Sequence, residues 1–226
     1  RWATRADTVV NILTRSTETG YVFGADVSTA LNTGFVNGSA YANYTKGKNN
    51  FGLEYSLNLR DYNDRRVNSV YDYQLNGNHY RSDENRTDHF GYTFQNVALR
   101  YTRLVPDDYA FQAKLNMDIF SRFSKGVGQS VFTEDNLKEE HEMFKNNNSD
   151  YVIPKLDLYY SKKMGEKDEL SINVVGSHYT TNTSETAKEW VVGSGLSVYD
   201  NDMVLKAKQT SLVGELAHTH DFKAGK

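Results

Sequence analysis

The fold is decided by the stretch Tyr109-Ala-Phe-Gln-Ala-Lys-Leu-Asn-Met-Asp-Ile-Phe-Ser-Arg-Phe123. Its odd positions carry Tyr109, Phe111, Ala113, Leu115, Met117 and Ile119; its even positions carry Gln112, Lys114, Asn116, Asp118 and Arg122. Side chains of a strand point alternately to opposite faces, so this spacing predicts a strand with one apolar and one polar face. At about 3.3 Å per residue, a tilted strand of this length crosses the apolar layer of a bilayer. Phe51 to Arg60 follows the same rule, with Phe51, Leu53, Tyr55, Leu57 and Leu59 against Gly52, Glu54, Ser56, Asn58 and Arg60.

Weaker copies extend the pattern outward in both directions. Tyr21, Phe23, Ala25 and Val27 begin the set, and Val36, Gly38, Ala40, Ala42 and Tyr44 follow. Val97, Leu99 and Tyr101 continue it after a phase slip near Gln95 that predicts a bulge. Three more runs complete it: Leu156, Leu158 and Tyr160; Leu170, Ile172 and Val174; Leu212, Gly214 and Leu216. The expectation is about eight strands and no long helix.

The connections alternate in kind. Gly47-Lys48-Asn49-Asn50, Pro106-Asp107-Asp108, Gly165-Glu166-Lys167 and Ala224-Gly225 read as tight turns. Between them lie long polar stretches, roughly 63–88, 124–150 and 180–208, expected to be loops. The first connection, Asn32 to Gly34, is short and departs from that trend. Short turns at one rim and long loops at the other are the habit of outer-membrane barrels. Alternation alone fits equally a water-exposed antiparallel sheet with one wet face; the loop asymmetry, strand length and aromatic content favour the barrel.

Composition agrees with that choice. The 226 residues include 16 Tyr, 2 Pro and no Cys, and 13% are aromatic, too many for a disordered chain. Without Cys, a disulfide scaffold, a thiolate zinc site and a cysteine nucleophile are all excluded. The net charge of −3 gives no pull toward nucleic acid. A mean hydropathy of −0.68 is low for a packed core. It is the expected average of an apolar row, a polar row and wet connections.

The segment Val9-Val10-Asn11-Ile12-Leu13-Thr14-Arg15, preceded by Ala6-Asp7, resembles the end of the plug domain of TonB-dependent outer-membrane receptors. The lead-in Trp2-Ala-Thr-Arg-Ala-Asp7 replaces the Gly-rich one of those receptors and resembles the Bacteroidetes branch of large outer-membrane β-barrel proteins. Tyr55-Ser-Leu-Asn-Leu-Arg-Asp-Tyr-Asn-Asp-Arg-Arg66 is similar to that branch's early barrel, where a strand runs into such a stretch. The resemblance implies the end of a plug at residues 1–18 and the N-terminal part of a barrel at 19–226. It implies an all-β, antiparallel up-and-down transmembrane barrel, of which these are about eight of about 22 strands around a plugged lumen. Arg1 and Lys226 would then bound a slice of a longer protein.

Function follows from the resemblance as an expectation: nutrient uptake across the bacterial outer membrane, with no catalysis and no cofactor. The implied partners are outer-membrane lipid and lipopolysaccharide, the TonB system acting through a region outside this chain, and a surface lipoprotein. The ligand is a small molecule, glycan or peptide. The other reading is a complete small eight-stranded barrel or a soluble β-domain with a structural or adhesive role.

The polar rows define the candidate binding surface: Glu54, Asn58, Arg60, Lys114, Asn116, Asp118, Arg122 and Asp157 are expected to face the lumen, pairing with one another or with a plug. His218 and His220 share a strand face but lack a visible third ligand, so no metal site is expected. Thr133 to Phe144 reads as a short helix with an acidic first turn inside a loop. No Ser/His/Asp spacing suggests a hydrolase.

Overall fold

A computed structural model describes residues 19–30 and 34–222. The expected plug end and the Ala224-Gly225 turn lie outside these residues. The described chain is all strand and turn, without a helix. It comprises β1 (Thr19–Ala30), β2 (Phe35–Lys46), β3 (Asn49–Leu75), β4 (Asn78–Val105), β5 (Tyr109–Glu134), β6 (Leu137–Lys163), β7 (Asp168–Val191) and β8 (Ser197–His220).

These strands form one eight-stranded sheet in sequence order, every neighbour antiparallel. Among the described residues no pairing joins β1 to β8, so the sheet is open and presents two edges. Cross-strand register carries the apolar row from one strand to the next. Leu53 pairs with Ala42 and Leu99, Leu99 with Leu115, Leu115 with Leu156, and Leu156 with Gly176, which pairs with Leu212. A one-residue slip anywhere would move a whole strand's apolar set to the other face.

Three expectations are corrected. The long polar stretches are not loops, because β3 to β8 run through them as paired strands. β3 pairs with β4 as far as Leu75 and Asn78, where Asn76 (φ 53°) and Gly77 (φ 90°) close a two-residue hairpin. Asn-Gly suits such a turn because both central residues must take positive φ. Thr133 to Phe144 is likewise a hairpin rather than a helix: Glu134 pairs with Leu137 around Asp135 (φ 51°). Its period is two, with His141 and Met143 buried on one face and Glu142 exposed on the other. Register runs unbroken through Gln95, and the irregularity falls between Tyr62 and Arg65 instead. The apparent slip arises because Phe94, an aromatic, occupies the polar face opposite Asn58 and Phe120.

The sheet has almost no core of its own. Among the described residues only Ala98, Met143 and Ala187 are buried apolar side chains. Phe23, Leu53, Leu99, Leu115, Leu156 and Leu216 stand exposed on one face, Phe23 at 73% and Leu216 at 70%. Full burial of a large apolar side chain is worth about 1.5–3 kcal/mol. On the order of a dozen left in water would forfeit more than the roughly 5–15 kcal/mol that stabilises a domain.

Candidate functional site on the polar face

Register places Glu54, Asn58, Arg60, Lys114, Asn116, Asp118, Arg122 and Asp157 on a single face, opposite the apolar row. Short polar side chains at every second position leave that face able to hydrogen-bond across strands rather than pack. Its best-connected group spans β4 to β6. Asn96 Nδ2 donates to Asp118 Oδ1 (2.5 Å) and Asn116 Oδ1 (3.1 Å), and Lys155 Nζ binds Asp118 Oδ2 at 2.6 Å. Arg100 donates to Asn43 (3.2 Å) and lies 3.9 Å from Glu54. Lys114 and Asp157 are direct register partners but form no ion pair with each other.

Asn58, Arg60 and Arg122 belong to a different group, organised by aromatic rings. Tyr92 lies between Arg60 and Arg122 in register. The Tyr92 hydroxyl donates to Asn58 Oδ1 (3.3 Å) and accepts from Arg60 Nε (3.4 Å). From Tyr92 a row of rings crosses the sheet. Tyr92 to Phe120 is 6.2 Å between centroids, Phe120 to Tyr151 is 4.9 Å, and Tyr151 to Tyr179 is 6.1 Å. Phe90 extends the row behind Tyr92 at 6.1 Å. Sequence reading missed these rings, although Tyr92 and Phe120 sit at positions the alternation reserves for polar residues. An aromatic on the wrong phase was the available signal.

Nearer the hairpin tips the same face carries two buried ionic clusters. Asp88, 0% exposed, accepts from Arg65 Nη2 (2.6 Å), Arg86 Nε (2.5 Å) and Ser124 Oγ (2.9 Å). Burial pushes its carboxyl upward, but the hydrogen bonds from Arg86, Arg65 and Ser124 outweigh that and hold it at about 2. Arg65 also stacks over Phe90 at 4.0 Å. Further out, His141 Nδ1 meets Glu189 Oε1 (2.8 Å) and its Nε2 meets Glu139 Oε2 (3.1 Å). Burial opposes the imidazolium there, yet Glu139 and Glu189 raise its pKa.

Ser130 Oγ donates to Glu189 Oε1 at 2.7 Å, and at 1% exposure it offers no route to a substrate. His218 and His220 both reach Asp168 Oδ1, at 3.0 and 2.7 Å, tying β8 to β7 at the turn end. Among the described residues no group of His, Cys, Asp or Glu is arranged to hold a metal. Set against models of known protein families and against curated proteins, the sequence matches none of them.

Proposed function

We propose that this chain is part of a TonB-dependent receptor or transporter of the bacterial outer membrane, with its apolar face against lipid and its polar face lining the lumen. The observation that carries this reading is the exposed apolar face of a sheet that has nearly no core. On β5 that face runs from Tyr109 to Ile119, about 35 Å of strand at 3.3 Å per residue. Tilted by about 40°, it spans roughly 27 Å, against an apolar band of about 25 Å in outer-membrane barrels. Polar residues end the band at one level, where register aligns Thr93 on β4, Ser121 on β5, Asp150 on β6 and Asn182 on β7, with Asp61 on β3 two residues further out than Leu59, the partner of Thr93.

Beyond that level the paired hairpins stand clear of the bilayer as ion-paired extensions, and the tight turns at Gly47, Asp107 and Gly165 lie on the periplasmic side. Polar backbone cannot stay unpaired in hydrocarbon, so the open edges of β1 and β8 require further strands. That favours a larger barrel over a complete eight-stranded one, in which β1 and β8 would pair with each other. The motif at Val9 to Arg15 supports a plug preceding β1. The protein would carry out no chemistry; TonB would supply energy for uptake, and a surface lipoprotein would serve as an external partner.

Fractionation tests this. The protein should sediment with outer membranes, resist alkaline carbonate extraction and need detergent to dissolve. A monomer stable in water without detergent would overturn the reading.

A further inference from the structure

We propose that the aromatic row on the polar face is a binding platform for an acidic oligosaccharide. The inference rests on the transporter reading and names the substrate class for that face. On a lumen-facing strand row, water-compatible side chains are the expected choice. Here Tyr92, Phe120, Tyr151 and Tyr179 line up across four strands instead, each half-buried. Half-exposed rings with no apolar neighbour layer over them retain hydrophobic surface that a ligand's own apolar face can cover. A pyranose ring supplies such a face on its C–H side, with hydroxyls at its rim. Around the row stand groups suited to those hydroxyls: Asn58 beside Tyr92, and Ser149 hydrogen-bonded to Thr183 at 2.9 Å.

Charge narrows the class. Arg60 and Arg122 flank Tyr92, and neither forms an ion pair with a described carboxylate. The carboxylates nearby are engaged elsewhere. Asp88 is held by Arg65 and Arg86, Asp118 by Lys155, and Glu185 accepts from Asn147 at 3.1 Å. Arg60 packs its guanidinium over Phe35 at 3.6 Å and gives one donor to Tyr92. Arg122 is exposed and gives one donor to Asn147 at 3.2 Å. Each guanidinium carries five donors, so both keep free ones on a face with two unneutralised positive charges. Planar forks of this kind recognise carboxylates by paired hydrogen bonds. A row four strands long with cations at one end fits a chain of uronic acid units better than a single ring.

The test uses the protein at its natural length, purified from membranes in detergent, and titrates it calorimetrically with de-esterified oligogalacturonides. Cello-oligosaccharides of the same length serve as the neutral control. The acidic oligomers should bind and the neutral ones bind at least tenfold more weakly. Arg122→Gln and Arg60→Gln should each weaken acidic binding about tenfold without changing neutral binding. Phe120→Ala should weaken both, and the milder Tyr151→Leu provides a check if Phe120→Ala fails to fold. The proposal is overturned if acidic oligomers do not bind, if both sugars bind alike and ignore Arg122→Gln, or if loss of the rings leaves affinity unchanged. A protein that resides in the outer membrane yet takes no acidic oligosaccharide overturns this inference alone. A protein that binds it without membrane residence overturns the transporter reading alone.

Discussion

Asp88 and Gly126 share one site across the β4–β5 pair. A Cβ at position 126 would fall 2.0 Å from Asp88 Oδ1 and 2.7 Å from the Thr87 carbonyl oxygen. The bare glycine is therefore what lets a fully buried carboxylate sit between Arg65 and Arg86. Gly126→Ala should destabilise the protein by about 1–3 kcal/mol, the usual cost of overpacking. Asp88→Ala removes the same oxygen, so the double variant should lose less than the sum of the singles, read as unfolding midpoints in detergent. Strict additivity would mean the two residues do not compete for space.

The same carboxylate sets an acid limit. Burial works against its ionisation, but the guanidinium and hydroxyl hydrogen bonds hold it at about 2, below the unfolded value of about 3.9. A depressed folded pKa contributes stability that is present above the unfolded value and lost as pH falls through the folded one. Between about pH 4 and 2 the protein should lose on the order of 1–2 kcal/mol, since half-exposed Arg65 is partly screened. Asp88→Asn should flatten this part of the stability profile; an unchanged slope would assign the acid sensitivity to other groups.

His141 gives the opposite sign. Both ring nitrogens face carboxylate oxygens, and a neutral imidazole has only one N–H to give, so the geometry needs the imidazolium. With the folded pKa raised by Glu139 and Glu189 against the pull of burial, the stabilisation is complete below about 6.5. It is lost as pH rises through the folded value. Hydrogen exchange at the β6–β7 tip should speed up over that interval, and Glu189→Gln should move the transition to lower pH. Exchange that does not vary with pH once corrected for intrinsic rates would rule this latch out.

The alternation in Phe51–Arg60 and Tyr109–Phe123 was legible because one face of those strands carries an apolar row and the other a polar one. Beyond Asp61 and Ser121 polar and charged residues occupy both faces of each hairpin, so no apolar period survives to mark a strand. Stretches such as Asn63 to Asp88 therefore read as loop. Their pairing rests on cross-strand contacts that composition does not reveal, including Arg81 with Asp72 (3.5 Å), His79 with Asp72 (2.7 Å) and the Tyr73–Tyr80 stack (5.3 Å). The polar set from Glu54 to Asp157 was legible from phase alone. The aromatic row was not, because Tyr92 and Phe120 violate the rule by which the others were found.

The two faces should differ in their tolerance of charge. Leu115→Arg places a guanidinium in the middle of the apolar row and should cost about 2–4 kcal/mol or block assembly in the membrane. Asn116→Arg, one residue away on the other face, should be tolerated with a change below about 1 kcal/mol. Folded yield on cold gels, where intact barrels migrate differently from heated ones, reads the contrast. Equal tolerance at both positions would remove the distinction between the faces.

The most direct test is a spin-label scan along residues 109–123 in native-like membranes. Single cysteines can be introduced one at a time, since the chain has no cysteine of its own. Labels at Phe111, Leu115, Met117 and Ile119 should collide with oxygen dissolved in lipid and be shielded from a water-soluble nickel relaxant. Labels at Gln112, Lys114, Asn116 and Asp118 should show the reverse, giving a period of two across the segment. Uniform access of the water-soluble relaxant to both sets would contradict a lipid-facing apolar row, and the membrane reading would fall with it.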